Sequence, residues 1–127
     1  MSPRILVVDD DADTVLFLCT FLQDEGYATA GALGAEQGFA LLRADRPDLV
    51  LLDLQMPGST GACFYRELKR DRELRDIPVV IVTGLGEFAL FAEDCRPVPP
   101  PAAALQKPID RAELLATIQR ALGGAGG

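Results

Sequence analysis

Histidine is absent from the 127-residue chain. That removes imidazole acid–base catalysis, histidine metal ligation and any phosphohistidine carried by this chain itself. Basic residues are scarce: 12 Lys and Arg stand against 19 Asp and Glu, a formal charge of −7 with a pI near 4.5. A nucleic-acid surface needs a basic patch, so this balance argues against one. Cysteine is limited to Cys19, Cys63 and Cys95, which are widely spaced, odd in number and without a C-x-x-C pair. They read as small apolar residues in a reducing compartment, not as a disulfide framework or a zinc site. Long hydrophobic runs are missing too. The longest aliphatic stretches, Leu49 to Leu52 and Val79 to Val82, fall far short of the ~20 residues that cross a bilayer. The N-terminus has no signal-peptide pattern, because its brief apolar run ends in acid. The expectation is a cytoplasmic protein without a membrane partner.

What is present is a core. Apolar residues make up 49% of the chain, which argues against disorder, and the length suits one domain. Ile5 to Val8, Leu49 to Leu52 and Val79 to Val82 are apolar throughout, the pattern of strands covered on both faces in a parallel sheet. They end in Asp9, Asp53 and Thr83. Tyr27 to Gly31 is a weaker strand and Ala102 to Gln106 a fifth. Helices are expected between them. Asp11 or Asp13 caps a helix running to Glu25, with Val15, Leu16, Cys19 and Leu22 at helical spacing and Gly26 as its stop. Ala35 to Ala44 buries Phe39 and Leu41 or Leu42, and Gly61 to Arg70 turns Phe64 and Leu68 inward. A short helix is expected from Glu87 to Asp94. The last helix opens on a D-x-x-E pair, Asp110 and Glu113, with Ile109 and Leu114 placed for a hydrophobic staple, and runs to about Leu122. A glycine-rich tail over 123–127 is expected to be flexible.

The β-α order repeated five times implies right-handed crossovers and a doubly wound parallel sheet with helices on both faces. Sites in such sheets gather outside the carboxyl ends of the strands, where Asp9, Asp53, Thr83 and Lys107 fall. Asp9, Asp10 and Asp53 would converge there. Two like charges ~4 Å apart repel by several kcal/mol at an effective dielectric near 20, so a cation must offset them. Mg²⁺ suits such a site, since it takes one or two carboxylates and keeps several waters. Lys107 is the protein's own opposing cation. A carboxylate beside a metal, a hydroxyl and a lysine fits phosphoryl transfer, with Asp53 as nucleophile, Thr83 donating to a phosphoryl oxygen and Gly84 exposing a backbone N–H. Asp11 and Asp13 read as helix caps.

These residues carry a resemblance. Ile5-Leu6-Val7-Val8-Asp9-Asp10-Asp11, Pro47 to Gly58 with its Leu-Leu-Asp53-Leu-Gln55-Met-Pro core, Ile77 to Gly84 ending in Thr83-Gly84, and Lys107-Pro108 together resemble the receiver domains of two-component response regulators. The likeness covers residues 1–122, essentially the whole chain before the tail. It implies an α/β fold of the flavodoxin-like (βα)5 type, strand order 2-1-3-4-5, here with a short or irregular fourth helix. It implies Asp53 as phosphoacceptor, with Asp10 binding Mg²⁺ or Mn²⁺ directly and Asp9 through water. The Gln55 backbone carbonyl would complete the metal ligands, and its N–H would meet the phosphoryl group. Thr83 corresponds to the switch hydroxyl and Gly84 to a second backbone donor. Lys107 corresponds to the family lysine, followed by a cis bond to Pro108. The implied phosphate donor is a histidine kinase or histidine phosphotransfer protein, acting ahead of a downstream effector. A homodimer is open to such a domain. Turnover would be self-directed, by phosphotransfer and autodephosphorylation.

Two features depart from the pattern. The family's output switch has an aromatic three residues before the lysine, and here that residue is Ala104. Arg96 to Pro101 holds four prolines in six residues, which excludes a helix and favours an extended connector in the Pro97 to Pro101 stretch. Output coupling is therefore expected to be non-standard. Two other readings remain at this level. One is a receiver-like binding module independent of phosphate, which Ala104 supports. The other is a haloacid-dehalogenase-type phosphatase, in which Asp9 of Asp9-Asp10-Asp11 would be the nucleophile. That enzyme needs a further acidic pair after the lysine, whereas Asp110 and Glu113 read as a cap.

Overall fold

In a strand, successive side chains point to opposite faces, so an unbroken apolar run needs a cover on each side. The computed structural model of the chain, which describes residues 2–53, 60–84 and 99–126, supplies both covers. Its order is β1 (Arg4–Val8), α1 (Ala12–Asp24), β2 (Ala28–Ala32), α2 (Ala35–Ala44), β3 (Leu49–Asp53), α3 (Thr60–Arg70), β4 (Val79–Thr83), β5 (Ala103–Gln106) and α4 (Arg111–Gly126). The five strands are parallel and lie in the order β2-β1-β3-β4-β5. This is the doubly wound, flavodoxin-like sheet expected from the sequence. Gln55, the expected helix over 87–94, Cys95 and Pro97 lie outside the described residues.

The alternation sorts the core into two layers. Leu6, Val8, Val50, Leu52, Val79 and Ile81 face Leu42 of α2 and Phe64 and Leu68 of α3. Ile5, Val7, Leu49, Leu51, Val80 and Val82 face α1 and Leu114 and Ile118 of α4. Neighbouring residues of one strand thus bury against different helices, which fixes the register of the sheet.

Several boundaries differ from expectation for identifiable reasons. β2 is displaced by one residue from Tyr27–Gly31, because the Tyr27 N–H bonds back to Leu22 O at 3.0 Å and so belongs to the exit of α1. Gly26, at φ 97°, makes that exit in the left-handed region open to glycine. Leu16 is 67% exposed, while Leu18 is buried with Val15 and Leu22. Positions 15, 18 and 22 form one helical stripe, and Leu16 lies a quarter-turn away from it. α4 continues past Leu122 to Gly126. Gly26 is the one positive-φ residue among those described, so no described glycine in the tail adopts the left-handed turn that ends helices.

The caps agree with expectation. The Asp11 side chain accepts from the Asp13 N–H at 3.0 Å to open α1, and Asp110 Oδ1 accepts from the Glu113 N–H at 3.1 Å to open α4.

Candidate functional site

Strands β1, β3, β4 and β5 are consecutive neighbours, so their carboxyl ends form one rim. Asp9 follows β1, Asp53 is the last residue of β3, Thr83 the last of β4, and Lys107 follows β5. The backbone ladder carries each of them to the rim. The Asp9 N–H bonds to Ala32 O at 3.1 Å, and the Lys107 N–H bonds to Thr83 O at 2.9 Å.

Asp9 and Asp53 are 2% and 5% exposed. Carboxylates are rarely so buried without a partner. Lys107 Nζ donates to Asp53 Oδ2 at 3.0 Å, with the lysine side chain 29% exposed. Asp9 Oδ1 accepts the Asp11 N–H at 3.0 Å. Burial first, then its hydrogen bond and charge contact with Asp53, push the Asp9 carboxyl up to about 7; the Asp11 N–H and the Lys107 charge pull the other way without reversing it. The two carboxyls are thus close enough to compete for one proton or one cation. A small cavity of about 10 Å³ adjoins them, with Thr14, Leu18, Lys107 and Ile109 in its wall. That is about the room of one water.

Asp10 is exposed beside this pair. Asp9 and Asp53 are buried together while Asp10 stands at the solvent edge, and among the described residues no three acidic or thiol side chains gather into a metal cage. Successive residues leaving a strand diverge, so Asp9 turns inward while Asp10 turns to solvent. Thr83 is buried, and its hydroxyl donates to Gly84 O at 3.1 Å. The Lys107–Pro108 bond is cis. Ala104 is exposed on β5.

Sequence reasoning passed over Thr14 and Tyr65. Thr14 Oγ1 donates to Asp11 Oδ2 at 3.2 Å and joins the cavity wall; its spacing of three from Asp11 was the available signal. Tyr65 is 1% exposed and follows Phe64 on α3, one position off the Phe64–Leu68 spacing that the sequence marks as inward.

The chain matches the family model described as "Response regulator receiver domain" over residues 5–119. It is 34% identical over 122 residues to Protein Rrf1 of Nitratidesulfovibrio vulgaris, covering 96% of this chain and 84% of that protein. It is 36% identical over 121 residues to Protein PilH of Pseudomonas aeruginosa, covering 95% of this chain and 98% of that one. Among solved structures, a CheY-like response regulator receiver domain protein from Methanospirillum hungatei superposes with a TM-score of 0.84 at 26% identity, covering 99% of this chain and 98% of that chain.

Proposed function

The chain belongs to the response regulator receiver domain family of two-component signalling, and from that premise we propose that it takes a phosphoryl group onto Asp53 and switches a partner's binding. The observation that carries this reading is the buried Asp53 carboxylate paired with Lys107 at 3.0 Å and set against buried Asp9. An oxygen of Asp53 attacks the phosphorus of a phosphohistidine on a histidine kinase or phosphotransfer protein. The P–O bond forms as the P–N bond breaks, and the imidazole leaves with the bonding pair. Lys107 moves from the carboxylate to an equatorial phosphoryl oxygen. Thr83 rotates its hydroxyl from Gly84 O toward another, with the Gly84 N–H as a further donor.

The donor set fits a hard divalent cation. Two adjacent buried carboxyls with one lysine paired to Asp53 leave excess negative character and present only oxygen. Asp9 and Asp53 would hold Mg²⁺ or Mn²⁺, with Asp10 at the rim and the Gln55 carbonyl as further ligands. When bound, the ion supplies neutralisation of the charge that builds on the transferring group. Return to the resting state is hydrolysis of the aspartyl phosphate at the same site. Such turnover sits in the cytoplasm, between a kinase and a downstream effector.

Incubation with acetyl phosphate and Mg²⁺ tests the reading. Wild type and Asp9→Asn should both be labelled, Asp9→Asn more weakly, and Asp53→Asn should stay unlabelled. Labelling lost only in Asp9→Asn would favour the phosphatase-type nucleophile instead. A wild type that neither labels nor binds beryllofluoride would favour the phosphate-independent module, which the exposed Ala104 in place of an aromatic supports.

A further inference from the structure

Prolines 99, 100 and 101 carry no amide hydrogen, so this stretch cannot hold itself to a sheet by donating to a neighbour. The first backbone donor after it is Ala102, whose N–H bonds to Val79 O at 2.9 Å. The stretch is fixed from another direction. The Tyr65 hydroxyl, on α3, donates to Pro99 O at 2.6 Å, across 34 residues of sequence. A buried phenol needs such a partner, and a phenylalanine would fill the same core volume without making the tie. The Tyr65 ring is itself held in place. Lys69 Nζ lies 5.7 Å from its centroid and donates to Arg75 O at 3.1 Å and Ile77 O at 3.0 Å, which locks α3 to the connection leading into β4.

The strand that follows is the shortest of the five. β5 has four residues, stands at the sheet edge beside β4, and carries Ala104 and Gln106 exposed. Its exit is tied through Lys107, by the backbone bond to Thr83 O and the side-chain pair with Asp53. Its entrance is tied through Pro99 to Tyr65. One tie runs through the candidate site and the other does not.

We propose that Tyr65 is the fixed anchor of the edge strand β5, so that a change in the Lys107–Asp53 pair moves the strand at its exit while its entrance stays in place. In a chain with alanine where the switch aromatic would stand, this two-ended tether confines the response to Leu105, Gln106 and Lys107. That use of the tether rests on the receiver reading, in which phosphorylation of Asp53 gives Lys107 a new partner. The tether itself does not.

Amide hydrogen exchange followed by NMR on the unmodified protein tests it. Tyr65→Phe should raise exchange at Ala102 and Ala103 about fivefold, the effect of losing one ordinary hydrogen bond. Gln106, Lys107 and the β1 and β3 amides should stay within about twofold of wild type on the same reckoning. Lys107→Met should do the reverse, raising exchange at Gln106 and its own amide and sparing Ala102. Unchanged rates at Ala102 and Ala103 in Tyr65→Phe would overturn the proposal. So would an equal rise across β1, β3 and β5, which would mean general destabilisation, or an equal rise at both ends of β5 in Lys107→Met. None of these outcomes depends on phosphorylation, so labelling of Asp53 separates failure of the tether from failure of the receiver reading.

Discussion

At the scale of single residues, the site is built on a conflict that the fold tolerates. Asp9 and Asp53 are buried side by side, and Lys107 offsets one negative charge. Removing the charge of Asp9 while keeping its hydrogen bonds should relieve the conflict. The Asn side chain can still accept from the Asp11 N–H and donate to Asp53. Asp9→Asn is expected to raise stability by about 1 kcal/mol, a few degrees in Tm, while weakening Mg²⁺ binding. A thermal melt without metal checks this, and an unchanged or lower Tm would show that the pair costs nothing. A second residue gives a pH signature away from the site. The Asp71 carboxylate accepts the Glu73 N–H at 2.8 Å and pairs with Arg43 at 3.2 Å, and these contacts hold its carboxyl below the usual carboxylate range. A depressed folded-state value means that the contribution is complete above the ordinary value near 3.8 and is lost as pH falls through the lower, folded one. An NMR titration of the Asp71 carboxyl carbon should show a midpoint below the ordinary value near 3.8; an ordinary midpoint would contradict the assignment.

At the scale of elements, two glycines in helices make opposite predictions. Gly38 of α2 faces α3 so closely that a Cβ would stand 2.7 Å from Phe64 Cε2. Gly38→Ala should therefore destabilise by about 1–3 kcal/mol despite the better helix propensity of alanine. A Cβ at Gly123 of α4 would meet nothing within 4 Å, and Gly123→Ala should stabilise by up to about 1 kcal/mol. Urea unfolding of the two variants checks both signs. A Gly38→Ala variant as stable as wild type or more so would mean that α2 and α3 do not pack as closely as described. The elements also show where sequence reading works and where it stops. The runs ending at Asp9, Asp53 and Thr83 were legible because parallel strands covered on both faces leave continuous apolar stretches. The Asp11 and Asp110 caps were legible because capping is local chemistry. The inward face of α1 was misjudged at Leu16, since apolar residues at 15, 16, 18 and 19 fit more than one stripe and only the sheet's position selects between them. The Tyr65–Pro99 bond was invisible, because it joins residues distant in sequence through a single hydroxyl. The exposure of Asp10 beside buried Asp9 was not legible either, because it is set only once the chain leaves β1.

At the scale of the whole molecule, the doubly wound order explains why one rim gathers the candidate site residues. Parallel strands all present their carboxyl ends on the same side, and the order β2-β1-β3-β4-β5 makes neighbours of the strands bearing Asp9, Asp53, Thr83 and Lys107. The charge of −7 gains a local meaning there, in two buried acids served by one lysine. The missing histidine is consistent with a domain that receives its phosphoryl group from another protein. The most direct test of that claim is the intact mass of the protein after exposure to phosphoramidate, a small P–N donor, with Mg²⁺ or with EDTA. The account predicts one added phosphoryl group with Mg²⁺, mapped to Asp53, little with EDTA and none in Asp53→Asn. A phosphoryl group on any other residue, or none on wild type with Mg²⁺ present, would contradict it.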